Sequence, residues 1–362
     1  MSASRFAHLL RPELIEIEAY VPHTGTYDIR LDGNEAPPLI SLEARKKIQE
    51  ALLPPALERY PDPRSLDLRN AIATYIGAET NEVLAGMGSD EVIALLLSAL
   101  DNPRGKAKNA TIICPTPTFV MYRLSAKARG MRVIEVPLDA QWDLDVSAMC
   151  KAIEFGQPNL IFLATPNNPT GGLMSEDRLR VVIEAAKDSV VVLDEAYSAF
   201  AKASVAHLRR VYPNVVTLGT LSKVGFASLR VGWLVGPEDL VAEIDKVRQP
   251  YNLPTPSQRA ATLVLRDLRD EIKTVVAGVI AERTRVSEEL IRLGFGVTPS
   301  EANFVWVETK RPAIEVFEGL AESGILVRSF HARGGRLSNR LRISIGTSSE
   351  NTRLLETIKR WA

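Results

Sequence analysis

Val215-Val216-Thr217-Leu218-Gly219-Thr220-Leu221-Ser222-Lys223, closing on Arg230-Val231-Gly232-Trp233, is the stretch on which the fold turns. Residues 215–219 carry no charge and are rich in β-branched side chains, which predicts a buried strand with a polar turn opening at Thr220. A lysine at the mouth of such a strand faces an interior site. Desolvation there favours a neutral amine, fit to act as a nucleophile. Ser222 adds a hydroxyl and Arg230 a guanidinium fork, a pair suited to a phosphate. Taken alone, Lys223 reads far more readily as a solvated loop lysine; the rest of the chain decides between the two.

Two segments upstream end in the same manner. Leu160–Ala164 runs into Thr165-Pro166-Asn167-Asn168-Pro169-Thr170-Gly171-Gly172, and Val190–Leu193 into Asp194-Glu195-Ala196-Tyr197. From residue 111 the pattern predicts strands at 111–114, 131–136 and 230–236, with helices over 120–129, 176–188 and 238–248. Strands alternating with crossover helices imply an α/β fold, a mostly parallel sheet covered by helices on both faces. Ligands of such sheets sit beyond the carboxyl ends of the strands, where Asn168, Asp194 and Lys223 all fall.

Working outward, residues 1–35 form an extended arm interrupted by Pro12, Pro22, Gly25 and Gly33. Tyr20 and Asn34 lie in it, each read alone as packing or turn chemistry. A helix over 41–53 stops at Pro54-Pro55, the turn Arg59-Tyr60-Pro61-Asp62-Pro63 follows, and a second helix covers 65–76. Gly86-Met87-Gly88-Ser89-Asp90-Glu91 precedes an apolar helix that Ser89 or Asp90 would cap, its free N–H groups making an anion site. The glycine spacing is GxGxxE, not the GxGxxG of dinucleotide sites. Pro115–Phe119 is a stiff turn presenting an aromatic ring. Pro250, Pro254 and Pro256 mark a boundary between a large unit, 36–250, and a smaller one, 251–362. One long helix over 257–293 would bridge them, followed by strands near 303–308 and 341–345 and a helix over 312–323. Arg328 and Arg342 close apolar segments there.

The chain has 362 residues, two domains' worth, and its 46% hydrophobic content excludes disorder. Basic and acidic residues balance at 44 each, against a polybasic nucleic-acid or membrane binder. Cys114 and Cys150 form no disulfide framework, and the cytoplasm is the expected compartment. The N-terminus has no apolar core of a signal peptide, and no run approaches the ~18 apolar residues of a membrane span. His8, His23, His207 and His331 are scattered, so no metal site is expected.

An amine, a phosphate cradle and a carboxylate at neighbouring strand ends together suit pyridoxal phosphate, whose pyridine nitrogen needs an anion facing it. Lys223 and Asp194 supply the amine and the carboxylate. Four apolar residues before Asp194-Glu195 also suit the metal-binding strand of a nucleotide hydrolase. That reading needs GxxxxGK[ST], and the only Gly-Lys pair, Gly105-Lys106, has Leu100 and Ala107 at the flanking positions.

PNNPTG (166–171), DEAY (194–197) and TLSK (220–223) resemble the fold-type I pyridoxal-phosphate aminotransferases and, more narrowly, the histidinol-phosphate aminotransferase family. LDGNEAPP (31–38), RYPDP (59–63), GSDEVI (88–93), CPTPTFVMY (114–122) and LRISIGT (341–347) follow in that family's order, so the likeness covers residues 20–347. It implies a homodimer that transfers an amino group between L-histidinol phosphate and 2-oxoglutarate by a ping-pong route, a step of histidine biosynthesis. Lys223 would hold the cofactor as a Schiff base and carry the proton, and Asp194 would face the pyridinium nitrogen. Tyr197 and Asn168 would bond the ring's phenolic oxygen, and Phe119 would stack on the ring. Ser89, Asp90, Ser222 and Arg230 would hold the cofactor phosphate, with Tyr60 reaching it from the other subunit. Tyr20, Arg328 and Arg342 would grip the substrate phosphate, with Arg333, Arg336 or Arg340 as further candidates. The Lys223–Arg230 spacing is one residue shorter than in that family, so the turn between them must be rebuilt. An aromatic amino-acid aminotransferase and a threonine-phosphate decarboxylase-like lyase stay open as alternatives. A ligand-sensing regulator on this fold is disfavoured by the balanced charge.

Overall fold

Where aliphatic runs are covered on both faces they become strands, and these set the frame. A computed structural model describes residues 5–17, 23–53 and 56–362. The strands are β1 (Ile29–Arg30), β2 (Val83–Met87), β3 (Thr111–Thr116), β4 (Arg132–Pro137), β5 (Leu160–Ala164), β6 (Val190–Asp194), β7 (Val215–Thr220) and β8 (Val231–Val235). They continue with β9 (Gly296–Thr298), β10 (Phe304–Glu308), β11 (Ile325–Leu326), β12 (Arg328–Ser329) and β13 (Arg340–Ser344). The helices are α1 (Leu42–Ala51), α2 (Leu66–Ile76), α3 (Gly88–Ala99), α4 (Val120–Ala128), α5 (Val146–Gly156) and α6 (Glu176–Ala185). After them come α7 (Leu208–Val211), α8 (Glu238–Asp245), α9 (Thr255–Asp267), α10 (Arg269–Arg292), α11 (Ala313–Glu322) and α12 (Ser348–Ile358).

The main sheet has seven strands in the order β2-β8-β7-β6-β5-β3-β4. Strands β3 to β7 pair in parallel, and β8 is antiparallel to both β7 and β2. One face is packed by Val92, Leu96 and Tyr122 of α3 and α4, the other by Met149, Leu179 and Val182 of α5 and α6. Each such side chain, fully removed from water, contributes roughly 1.5–3 kcal/mol. This is the mostly parallel, two-sided α/β sheet that the alternation predicts.

A second, antiparallel sheet runs β12-β13-β10-β9. The core beneath it takes in Val275, Val279 and Leu290 of α10, Phe304 and Ile343, and reaches Leu68 and Ile72 of α2. The N-terminal segment is not wholly an arm, because β1 pairs in parallel with β11. The expected single helix over 257–293 is two: Leu268, at φ −118° and ψ 29°, separates α9 from α10. Arg266 sits in the last turn of α9, and Asp270 and Glu271 in the first turn of α10, the charges that the two helix ends favour. Helices α6 and α8 stop three residues short of the expected 188 and 248. No helix among the described residues is long and apolar enough to cross a membrane.

Candidate active site

At the carboxyl ends of β5, β6 and β7 lies a cavity of about 500 Å³. Its walls bring together Ser89, Asp90, Phe119, Asn168, Asp194, Tyr197, Ser222, Lys223, Arg230, Arg328 and Arg342 from segments up to 253 positions apart (from 89 to 342). Of the two expected residues left, one falls outside the described part of the chain and the other outside the cavity lining. Tyr20 lies outside the described residues. Tyr60 is 81% exposed and stacks on Tyr251, with ring centroids 4.6 Å apart, away from its own chain's cavity.

Asp194 ends β6 and is only 5% exposed. One carboxylate oxygen accepts the Ala196 N–H at 3.0 Å and the other the Tyr122 hydroxyl at 2.5 Å. Burial pushes its pKa up from the usual carboxylate range, and the Tyr122 bond offsets part of that. The Tyr122 hydroxyl, fully buried beside this carboxylate, is raised well above its ordinary value by burial first and the Asp194 charge second. Tyr122 stacks on Phe162 and meets Phe119 edge-on, so the same helix turn supports the carboxylate and a cavity wall. Tyr122 closes the segment CPTPTFVMY, but the sequence attaches no role to it: in an apolar-faced helix it reads as core. Glu195, next in the chain, turns away to accept Ser204 Oγ at 2.7 Å and Val205 N–H at 2.8 Å. It braces the turn, and Asp194 faces the cavity.

Lys223 is half-buried in the short turn after β7, its Nζ 5.8 Å from the Tyr197 ring centroid. The Tyr197 hydroxyl accepts Asn34 Nδ2 at 2.9 Å and Asn168 Nδ2 at 3.5 Å. Asn34, read alone as packing or turn chemistry, is therefore also part of the wall. Its left-handed backbone (φ 54°) is held by its N–H donating to Ser344 Oγ and its carbonyl accepting from Asn303. Arg342 donates to Asn168 Oδ1 at 2.7 Å and to the Asp32 carbonyl at 2.5 Å, tying β13 to the loop after β5.

The anion end is built differently from the expectation. Helix α3 begins at Gly88, so Ser89 and Asp90 lie inside its first turn and neither caps it. Gly88 (φ 77°) makes the sharp strand-to-helix turn, and the Glu91 carboxylate reaches back to the Met87 N–H. The shortened run from Lys223 closes through Gly225 at φ 103° and a 3-10 turn, Ala227–Leu229. Arg230 then takes a left-handed conformation (φ 52°), with its guanidinium beside Gly88 and 3.8 Å from the Asp90 carboxylate. A β-carbon on Gly88 would lie 2.7 Å from that guanidinium, and one on Gly232 would lie 2.5 Å from the Ser89 nitrogen. The cradle depends on both positions having none. Thr220 Oγ1 accepts the Ser222 N–H at 3.0 Å and orients the Ser222 hydroxyl.

The sequence model of the aminotransferase class I and II family matches residues 26–358. Histidinol-phosphate aminotransferase of Methylibium petroleiphilum is 37% identical over 362 residues, covering 99% of this chain and 95% of the relative. Histidinol-phosphate aminotransferase 1 of Burkholderia lata is 36% identical, covering 97% of each chain. The crystal structure of histidinol-phosphate aminotransferase from Sinorhizobium meliloti in complex with pyridoxal-5'-phosphate aligns with a TM-score of 0.85, covering 100% of this chain and 99% of that one. At 24% identity that likeness shows the shared fold. By its sequence over nearly its whole length, and with an amine, a buried carboxylate and an anion cradle at the strand ends, this chain belongs to the aminotransferase class I and II family.

Proposed function

We propose that the chain is a pyridoxal-phosphate aminotransferase interconverting L-histidinol phosphate and 2-oxoglutarate with imidazole-acetol phosphate and L-glutamate. The observation that carries the cofactor assignment is the single cavity holding Lys223, the buried Asp194 and the cradle of Ser89, Ser222 and Arg230. The identity to histidinol-phosphate aminotransferases over nearly the full chain supports the substrate.

The donor set fits the cofactor. A carboxylate raised by burial is the partner a cationic ring nitrogen needs, because ion pairing returns it to the charged form. The N–H groups of the first α3 turn, the Ser222 hydroxyl and Arg230 suit a phosphate dianion. Phe119 offers a flat wall to a ring, and the Asn168 amide and Tyr197 hydroxyl offer donors to its phenolic oxygen. Bound there, pyridoxal phosphate supplies an aldehyde to take up the amino group and a ring to accept electrons from the substrate α-carbon. Lys223 would hold the cofactor covalently and, freed by the incoming amine, would move the proton from the substrate α-carbon to the cofactor's carbonyl carbon. Asp194 keeps the ring nitrogen protonated, with Tyr122 fixing its rotamer. Arg342, Arg328 and Tyr20 grip the substrate's anionic groups. The amino group crosses in two half-reactions, ping-pong, through one site.

We further infer a homodimer in which Tyr60 of one subunit reaches the cofactor phosphate of the other, with 36–250 as the cofactor-binding unit, 251–362 as the smaller one and 1–35, strand β1 apart, as the arm. Two free cysteines fit a cytoplasmic setting. Protein loaded with pyridoxal phosphate should form glutamate from L-histidinol phosphate and 2-oxoglutarate, and Lys223→Ala should abolish this. Turnover of phenylalanine but not histidinol phosphate would move the assignment to aromatic amino acids. Carbon dioxide released from O-phosphothreonine would make it a lyase.

A further inference from the structure

The cavity is also lined by Arg123 of α4, Glu135 of β4, and Arg328, Phe330 and Arg333 of the segment beginning at β12. Three more arginines stand close by in sequence, and their geometry separates them. Arg336 donates to the Leu138 and Asp139 carbonyls at 2.9 and 2.8 Å and to the Ala140 carbonyl at 3.2 Å. Its guanidinium lies 3.7 Å over the Trp142 ring. Arg340 is paired with Glu308 at 2.8 Å and lies over Trp142 and Trp306. Arg342 is bonded to Asn168 and Asp32. Arg123, Arg328 and Arg333, by contrast, make no side-chain hydrogen bond or ion pair with any described residue.

The charges acting on Arg333 are Arg123, Arg328 and Glu135. Around Arg333, three guanidinia, its own included, against one carboxylate leave two positive charges. Like charges held together without counter-ions cost free energy that a bound anion recovers, and partial burial strengthens the recovery. Burial is also the main cause lowering the Arg333 pKa, with Arg123 adding to it. A surplus of two charges matches a phosphomonoester dianion and leaves a carboxylate one charge short. Guanidinium forks meet the planar pairs of phosphate oxygens better than ammonium groups do.

We propose that Arg333 and Arg123 complete, with Arg328, the subsite for the distal phosphate of the amino donor, and that Arg336 positions Arg333 by locking its loop onto Trp142 and the 138–140 backbone. This rests on the aminotransferase reading above and deepens it. Arg333 lies three residues beyond Phe330, which packs edge-on against Trp306 at 4.9 Å. With Arg336 anchored on its other side, the turn His331–Arg333 is pinned at both ends. Arg336 touches no ligand in this scheme.

The test uses holoenzyme and two amine-free probes, phenyl phosphate and benzoate, titrated calorimetrically. Arg333→Ala and Arg123→Ala should each raise the phenyl phosphate Kd on the order of ten- to a hundred-fold, the usual worth of one charge-assisted hydrogen bond. Benzoate should weaken far less. Arg333→Gln, which keeps most of the side-chain volume, should reproduce the Arg333→Ala loss. Arg336→Ala should weaken phenyl phosphate too, and the Arg333→Ala/Arg336→Ala double variant should be no worse than Arg333→Ala alone, since both act through one side chain. Unchanged phenyl phosphate affinity in the Arg333 and Arg123 variants, or equal losses for both probes, overturns the subsite. A wild type that binds phenyl phosphate through these arginines but does not turn over histidinol phosphate upholds the subsite and overturns only the donor proposed above.

Discussion

Asp194 shows how a single residue trades stability for chemistry. Its pKa in the folded chain is raised by burial, so the stability it contributes is fully present below the unfolded value of ~3.9 and is lost as pH rises through the folded value. As pH rises, the cofactor-free protein is therefore made to hold a charge that its surroundings disfavour. Asp194→Asn should leave the Tm of the cofactor-free form at pH 7 equal or higher, while turnover falls by about 10²-fold or more. Calorimetry with and without pyridoxal phosphate, alongside activity, checks both halves; wild-type turnover in the variant would remove Asp194 from the proposed chemistry. Asp194, Lys223 and Asn168 were legible in the sequence because an apolar strand followed by a polar residue marks the ligand-facing edge of a parallel sheet. Tyr122 and Asn34 were not. A tyrosine on an apolar helix face and an asparagine in an arm each have a commonplace explanation, and only the folded chain puts their polar atoms on Asp194 and Tyr197.

Among the elements, the junction of β2, α3 and β8 carries the anion cradle. The Gly232 backbone passes so close to the first turn of α3 that an added methyl would fall 2.6 Å from the Gly88 carbonyl carbon, and backbone cannot swing aside as a side chain does. Gly232→Ala should therefore push the helix start off the sheet. A Kd for pyridoxal phosphate raised at least about tenfold is expected, with stability lowered by roughly 1–3 kcal/mol, read by calorimetric titration and denaturant unfolding. Retained cofactor affinity would mean that the helix start takes little part in holding the phosphate. Strand and helix order was readable from periodicity, but the break at Leu268 was not. Neither glycine nor proline marks it, and the apolar pattern continues through it; the one available sign was the change from Arg266 to Asp270-Glu271. Loop arginines have no period at all, so Arg333 could not be told from Arg336 and Arg340 before their partners were seen.

For the whole molecule, the exposed Tyr60–Tyr251 stack is the place where a second subunit would make itself felt. If Tyr60 serves the partner's site, hybrids of a Lys223→Ala chain with a Tyr60→Ala chain contain one complete site. Such hybrids should regain about half the activity of the wild-type dimer, as two-fold symmetry dictates, although each parent homodimer is impaired. No gain over the parents in mixed, co-expressed protein would show that Tyr60 works within its own chain or not at all.

The ties between the two ends of the chain have a consequence for its biosynthesis. Asn34 is held by Ser344, 310 positions away, and β1 pairs with β11. At roughly 5–20 residues per second, the first-made wall of the cavity waits about 15–60 s before the residues that fix it have left the ribosome. Until then Tyr197 lacks the hydrogen bond from a positioned Asn34, and Asn168 lacks Arg342. A nascent chain can form much of the central sheet but not a closed cavity, so capture of the cofactor belongs to the finished polypeptide.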